Sequence, residues 1–151
     1  MDHQWGGFNN NEYRGWDWWS IQTEDNWEVM LFQFTSWEGV LIGKAGTVID
    51  PDGNLTPLEG MDAFEITSRR TFTSTHSDGV YPLDWDVVIP AGDWTLAVVT
   101  SVDDQEMHNP FQNYWEGETT VTGLRSGNAV HGVGYTELTG YATDSFDPPK
   151  P

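Results

Sequence analysis

No part of this chain carries apolar residues at helical spacing for more than a turn or two. Short runs instead alternate apolar and polar residues, and Gly, Asn, Asp and Pro break them apart. Successive side chains of a β-strand point to opposite faces, so this is strand patterning punctuated by turns. The pattern predicts strands near 16–23, 27–35, 40–42, 45–49, 64–74, 83–89, 93–100, 114–122 and 133–141. Between them lie turn signals such as Glu24-Asp25-Asn26, Asp50-Pro51-Asp52-Gly53-Asn54 and His76-Ser77-Asp78-Gly79. Ala91-Gly92 reads as a tight hairpin, and Gly123 to Gly132 as the link between the last two strands. Short strands with short connections indicate an all-β, antiparallel sandwich or barrel. A small barrel of about eight strands has room inside for one small ligand.

Residues 1–15 are read as an entry loop, 16–141 as one β-domain and 142–151 as a loose Pro-rich tail. A chain of 151 residues suits a single domain with a core. It has no cysteine, so disulfides and thiolate metal sites are excluded. Its four histidines are scattered and none falls in a zinc-type spacing, so no metal is expected. The turn at Asp50 faintly resembles a calcium loop, but its Gly is misplaced and Met61 stands where the bidentate Glu belongs.

A net charge of −18 argues against nucleic-acid binding and against docking on anionic lipid by charge. A salt-rich habitat would screen such a field. No apolar run is long enough to span a bilayer. The single basic pair, Arg69-Arg70, is expected to meet local carboxylates; a sharper alternative has a buried Arg70 orienting a site carboxylate.

The chemistry concentrates in Gly15-Trp16-Asp17-Trp18-Trp19-Ser20-Ile21. Alternation puts Trp16, Trp18 and Ser20 on one face and Asp17, Trp19 and Ile21 on the other. A carboxylate among apolar neighbours is costly unless paired, protonated or wet. Asp17 is therefore a candidate acid, although the same alternation allows it to face water while the tryptophans fill the interior.

Seven segments together resemble one family. They are Asp2-His3-Gln4-Trp5-Gly6, Gly15-Trp16-Asp17-Trp18, Ile49-Asp50-Pro51-Asp52-Gly53, Tyr81-Pro82-Leu83-Asp84-Trp85, Asp104-Gln105-Glu106, Tyr114-Trp115-Glu116-Gly117 and Gly134-Tyr135-Thr136-Glu137-Leu138-Thr139-Gly140-Tyr141. In this order they resemble the carotenoid 1,2-hydratase (hydroxyneurosporene synthase) and AttH-like family of lipocalin-like proteins, in its C-terminal domain. The resemblance implies a lipocalin-like (calycin-like) barrel lacking its first strands, which an upstream lipocalin-like domain or a dimer mate would complete. It implies catalytic roles for His3, Trp5 and Asp17. The tyrosine the family places two residues before that Asp is Gly15 here, with Tyr13 a possible substitute. It points to a periplasmic, secreted or membrane-associated setting.

The expected reaction is acid-catalysed hydration of a C=C bond in an apolar, isoprenoid-like substrate, without a cofactor. Asp17 would donate the proton, His3 would orient the water, and indole faces at Trp5 or Trp18 would stabilise the cation. Trp16, Trp18, Tyr114, Trp115 and Tyr135 are the expected substrate-binding residues, and Glu106, Glu116 and Glu137 are weaker site candidates. Three alternatives remain open: a cyclase or isomerase of the Diels–Alderase kind, a non-catalytic carrier of hydrophobic ligands, and a carbohydrate-binding β-module.

Overall fold

The computed structural model describes residues 12–108 and 113–143. The alternating runs form ten strands: β1 (Gly15–Thr23), β2 (Glu28–Thr35), β3 (Leu41–Ile49), β4 (Leu55–Glu59), β5 (Glu65–Thr73), β6 (Val80–Ile89), β7 (Trp94–Thr100), β8 (Glu106–His108), β9 (Asn113–Arg125) and β10 (Asn128–Thr139). Among the described residues there is no helix.

Every pairing is antiparallel, in the spatial order β4-β3-β2-β1-β10-β9-β7-β6-β5. β8 lies beside the first residues of β9, and β7 lies beside its second half. The first and last strands are partners, so the sheet curls into a lipocalin-like half-barrel. Both edges of β1 are paired, and the opening falls between β4 and β5. Lys44 of β3 bridges this seam: its Nζ donates to the carbonyls of Met61 (2.9 Å) and Phe64 (2.6 Å) and sits over the Phe64 ring.

The structure refines several strand expectations. Residues 40–42 and 45–49 belong to one strand, β3. β4 carries a proline and β8 has three residues, so neither shows a clear alternating run. β9 and β10 continue past Gly123 and Gly132 to a two-residue turn at Ser126-Gly127, where both φ values are positive, as a tight hairpin turn demands.

Inward-facing residues form one continuous apolar cluster that includes Trp19, Ile21, Leu31, Leu83, Trp85 and Leu96. At the end of the barrel where β1 finishes, the Arg125 guanidinium lies over the rings of Trp27 (4.3 Å) and Trp94 (5.1 Å). It also pairs with Asp25 at 2.8 Å. A cation held against indole faces contributes roughly 0.5–2 kcal/mol per contact. Arg125→Leu is therefore expected to lower stability by about 1–3 kcal/mol, read as a shift of the urea midpoint at constant slope.

Arg69 pairs with Asp86, and Arg70 clamps Asp84 and Asp103, so both meet local carboxylates. Asp50 accepts hydrogen bonds from the Asp52 and Asn54 amides and the Asn54 side chain, so its carboxylate ties the turn.

Candidate active site

Asp17 sits near the start of β1, on the inner face with Trp19 and Ile21. Its direct neighbours across the sheet are Gln33 of β2 and Leu138 of β10. Gly15 is required here because a Cβ would lie 2.3 Å from the Thr139 carbonyl oxygen. Thr139 stitches the two strands together: its hydroxyl accepts from the Trp16 amide (2.8 Å) and donates to the Trp16 carbonyl (3.0 Å). Gly140, at φ +81°, then turns the chain inward. Tyr141 arrives over the site, and its Oη donates to Asp17 Oδ2 at 3.0 Å.

Burial dominates the titration of Asp17, raising its pKa from 3.8 to about 7, while the Tyr141 hydrogen bond opposes the rise. The group is thus a neutral carboxylic acid over much of the range below neutrality, because desolvation disfavours the charged form. Removing the phenol removes the opposing influence. In Tyr141→Phe, Asp17 is expected to titrate above its present value of about 7, measured by carbon-13 NMR titration of the Asp17 carboxyl. An unchanged or lower value would show that the hydrogen bond does not hold the acid.

A cavity of about 440 Å³ opens beside this pair. That lies within the range of small-molecule pockets, about 300–1,000 Å³. Trp19, Leu41, Ile66, Pro82 and Trp85 supply its apolar wall. Gln33, Thr35, Lys44, Glu65 and Ser68 also line it, with Asp17 and Tyr141. Trp19 and Trp85 meet edge to face with centroids 5.7 Å apart. The cavity therefore spans from β1 and β2 to β3 on one side and to β5 and β6 on the other.

A second carboxylate lies near the same end. The Glu106 side chain is buried and accepts from the hydroxyls of Ser74, Ser77 and Tyr81, the last at 2.6 Å. His108 Nε2 stands 2.9 Å from it, and His108 Nδ1 stands 2.8 Å from Asn113 Oδ1. Burial pushes the Glu106 pKa up, but the three hydroxyls and His108 more than offset this, and the net shift is downward. The Tyr81 and Tyr141 rings pack at 5.5 Å between the two carboxylates. Below neutrality one acid is thus largely protonated while the other is shifted toward its ionised form, the divergence that marks acid–base assignments. Among the described residues no group of three or more His, Cys, Asp or Glu side chains is placed to hold a metal ion.

Residues 1–141 match the family described as AttH-like. The chain belongs to that family. Kievitone hydratase from Fusarium solani subsp. phaseoli is 33% identical over 84 residues, covering 54% of this chain and 23% of that protein. An AttH crystal structure from Nitrosomonas europaea superposes with a TM-score of 0.76 at 29% identity, covering 90% of this chain and 42% of the other. A kievitone hydratase structure from Nectria haematococca gives 0.70 at 21% identity, covering 84% and 39%, a likeness of fold. The AttH-like chain therefore matches well under half the length of these relatives.

In this AttH-like chain the expected site residues divide. Asp17 and Trp115 face inward and are buried. Trp16, Trp18, Tyr114 and Tyr135 lie on the outer face, because alternation sends each the opposite way from its inward neighbour. Out there Trp16 donates to Glu137 (3.0 Å) and Trp18 packs on Phe32. The indoles lining the cavity are Trp19 and Trp85 instead. Tyr13 packs against Phe34, an outer-face residue, and the phenol at Asp17 belongs to Tyr141. Glu116 and Glu137 are direct cross-strand partners on the outer face. His3 and Trp5 lie outside the described residues. Tyr141, Tyr81, Gln33 and Trp85 were not expected at a site, and Trp19 was expected only as an apolar neighbour of Asp17. Their signal was available only in part, as inward positions of strands whose neighbours the alternation does not name.

Proposed function

We propose that this protein adds water to a carbon–carbon double bond of an apolar, isoprenoid-bearing substrate, with Asp17 as the general acid. The observation that carries the reading is a neutral carboxylic acid, held by Tyr141, against an indole-walled cavity. Kinship with kievitone hydratase supports the same reaction class. Asp17 gives its proton to the less substituted alkene carbon, leaving a tertiary cation on the other. The faces of Trp19 and Trp85 stabilise that cation. Water bonds to the cationic carbon, and its surplus proton returns to the Asp17 carboxylate. The sum is alkene plus water to alcohol, with the acid regenerated. His3 and Trp5 are proposed as further members of the site on the family resemblance, and a carotenoid-type polyene as one form of the substrate.

The test is incubation with kievitone and, separately, with geranylgeraniol, followed by mass analysis for the gain of one water. The expected rate falls as pH rises through about 7, where Asp17 loses its proton. Tight binding seen by tryptophan quenching, with no product at any pH, would replace this reading with that of a carrier.

A further inference from the structure

We propose that the side-chain amide of Gln33 holds the water that adds to the substrate, which makes it a second catalytic residue beside Asp17. The inference rests on the hydration reading above and assigns a residue to its second step. Gln33 is the direct β2 partner of Asp17 in the β1–β2 register. Directly opposed residues on one face of an antiparallel pair have Cβ atoms about 4.5–5.5 Å apart. Both side chains line the same cavity.

The position is chemically out of pattern. Gln33 continues the inward series of Val29 and Leu31, both buried and apolar. An amide offers two donors and an acceptor oxygen. Among the described residues none of these is engaged. The amide faces an open cavity and is not sealed from water, so a water molecule can sit on it without displacing a protein partner. The other polar lining groups are placed differently. Lys44 is occupied by the Met61 and Phe64 carbonyls, Glu65 and Ser68 are exposed on β5, and Thr35 ends β2 two residues on. An amide also suits the step. It stays neutral at every working pH and does not compete for the proton of Asp17. Its carbonyl oxygen accepts from the water and leaves an oxygen lone pair free for the cation.

The step has a measurable branch point. After Asp17 protonates the alkene, the cation either gains water or loses a proton to return as an alkene. In heavy water the second route leaves deuterium in recovered alkene, while the first gives alcohol. The experiment runs wild type, Gln33→Met and Gln33→Asn with kievitone and with geranylgeraniol in heavy water, with folding verified by circular dichroism. In Gln33→Met, alkene deuteration should persist while the alcohol-to-deuterated-alkene ratio falls by about tenfold or more, as expected when a reacting group loses its orientation. Gln33→Asn should fall between the two. A ratio unchanged in both variants overturns the inference. So does a parallel loss of deuteration and alcohol, because that places Gln33 in the protonation step or in the frame. If wild type gives neither alcohol nor deuterated alkene, the hydration reading itself fails, which is a distinct outcome.

Discussion

Asp17→Asn is expected to yield a protein that is more stable than wild type near pH 8 and almost inactive. The sign follows from the direction of the shift. A carboxyl whose folded pKa lies above its unfolded value favours folding most when both states are protonated, and it loses that advantage as pH rises through the folded pKa. For Asp17 the window runs from 3.8 to about 7. At roughly 1.4 kcal/mol per pH unit, the full displacement amounts to about 4 kcal/mol, an order-of-magnitude ceiling. Asn stays neutral and keeps an acceptor for the Tyr141 hydroxyl, so it escapes the penalty. Urea denaturation should show the variant ahead by about 2–4 kcal/mol near pH 8, with the difference vanishing below about pH 4. Turnover should fall by roughly 10²–10⁴, the usual contribution of a general acid. A variant less stable than wild type at the higher pH would mean that Asp17 is not held in a desolvated site.

Trp85→Ala should carry a stability cost among the largest of any single substitution. Trp85 is 1% exposed, belongs to the central apolar cluster, meets Trp19 edge to face and lines the cavity. Truncating a buried Trp to Ala typically costs about 3–5 kcal/mol, from lost transfer energy plus the void left behind. The void would add to the adjoining cavity, and Trp85 sits on β6, which is held in ladders with both β5 and β7. Trp19→Phe provides the contrast. The Trp19 indole nitrogen is buried with no hydrogen-bond partner among the described residues. An unmet buried donor costs about 1–3 kcal/mol, so replacing the indole by a phenyl removes a penalty along with some packing. A net loss below about 1.5 kcal/mol is expected. Chemical denaturation of both variants decides the comparison; a Trp19→Phe loss well above about 1.5 kcal/mol would show that the indole N–H at Trp19 carries no cost.

The alternation of β1 was legible in the chain, and it alone paired Asp17 with Trp19 and set Trp16 and Trp18 apart. It does not say which face meets the interior. That depends on Leu31, Leu138 and the other neighbours across the sheet. The family resemblance drew attention to the indoles of the Trp-Asp-Trp segment, yet those two point outward. Tyr141 was hidden for another reason. It lies 124 residues from its partner, and only the pairing of the first and last strands joins them. Glu106 reads as one carboxylate in an acidic loop; its burial depends on hydroxyls from Ser74, Ser77 and Tyr81, which arrive from a separate turn and strand. Gln33 was visible as a polar residue in an apolar register, and its meaning required the register opposite Asp17.

The seam between β4 and β5 bears on how such a molecule avoids its own kind. An open sheet edge exposes main-chain donors and acceptors that recruit further strands and seed aggregates. Here one border is a five-residue strand with Pro57 at its centre, and proline lacks the N–H that an incoming strand would need. The other carries Glu65, Arg69 and Arg70, charges that a docking strand would have to desolvate. Lys44 closes part of the gap from within by gripping two carbonyls. The barrel can therefore stay unzipped along one side, wide enough for a small molecule and poorly suited to a foreign strand.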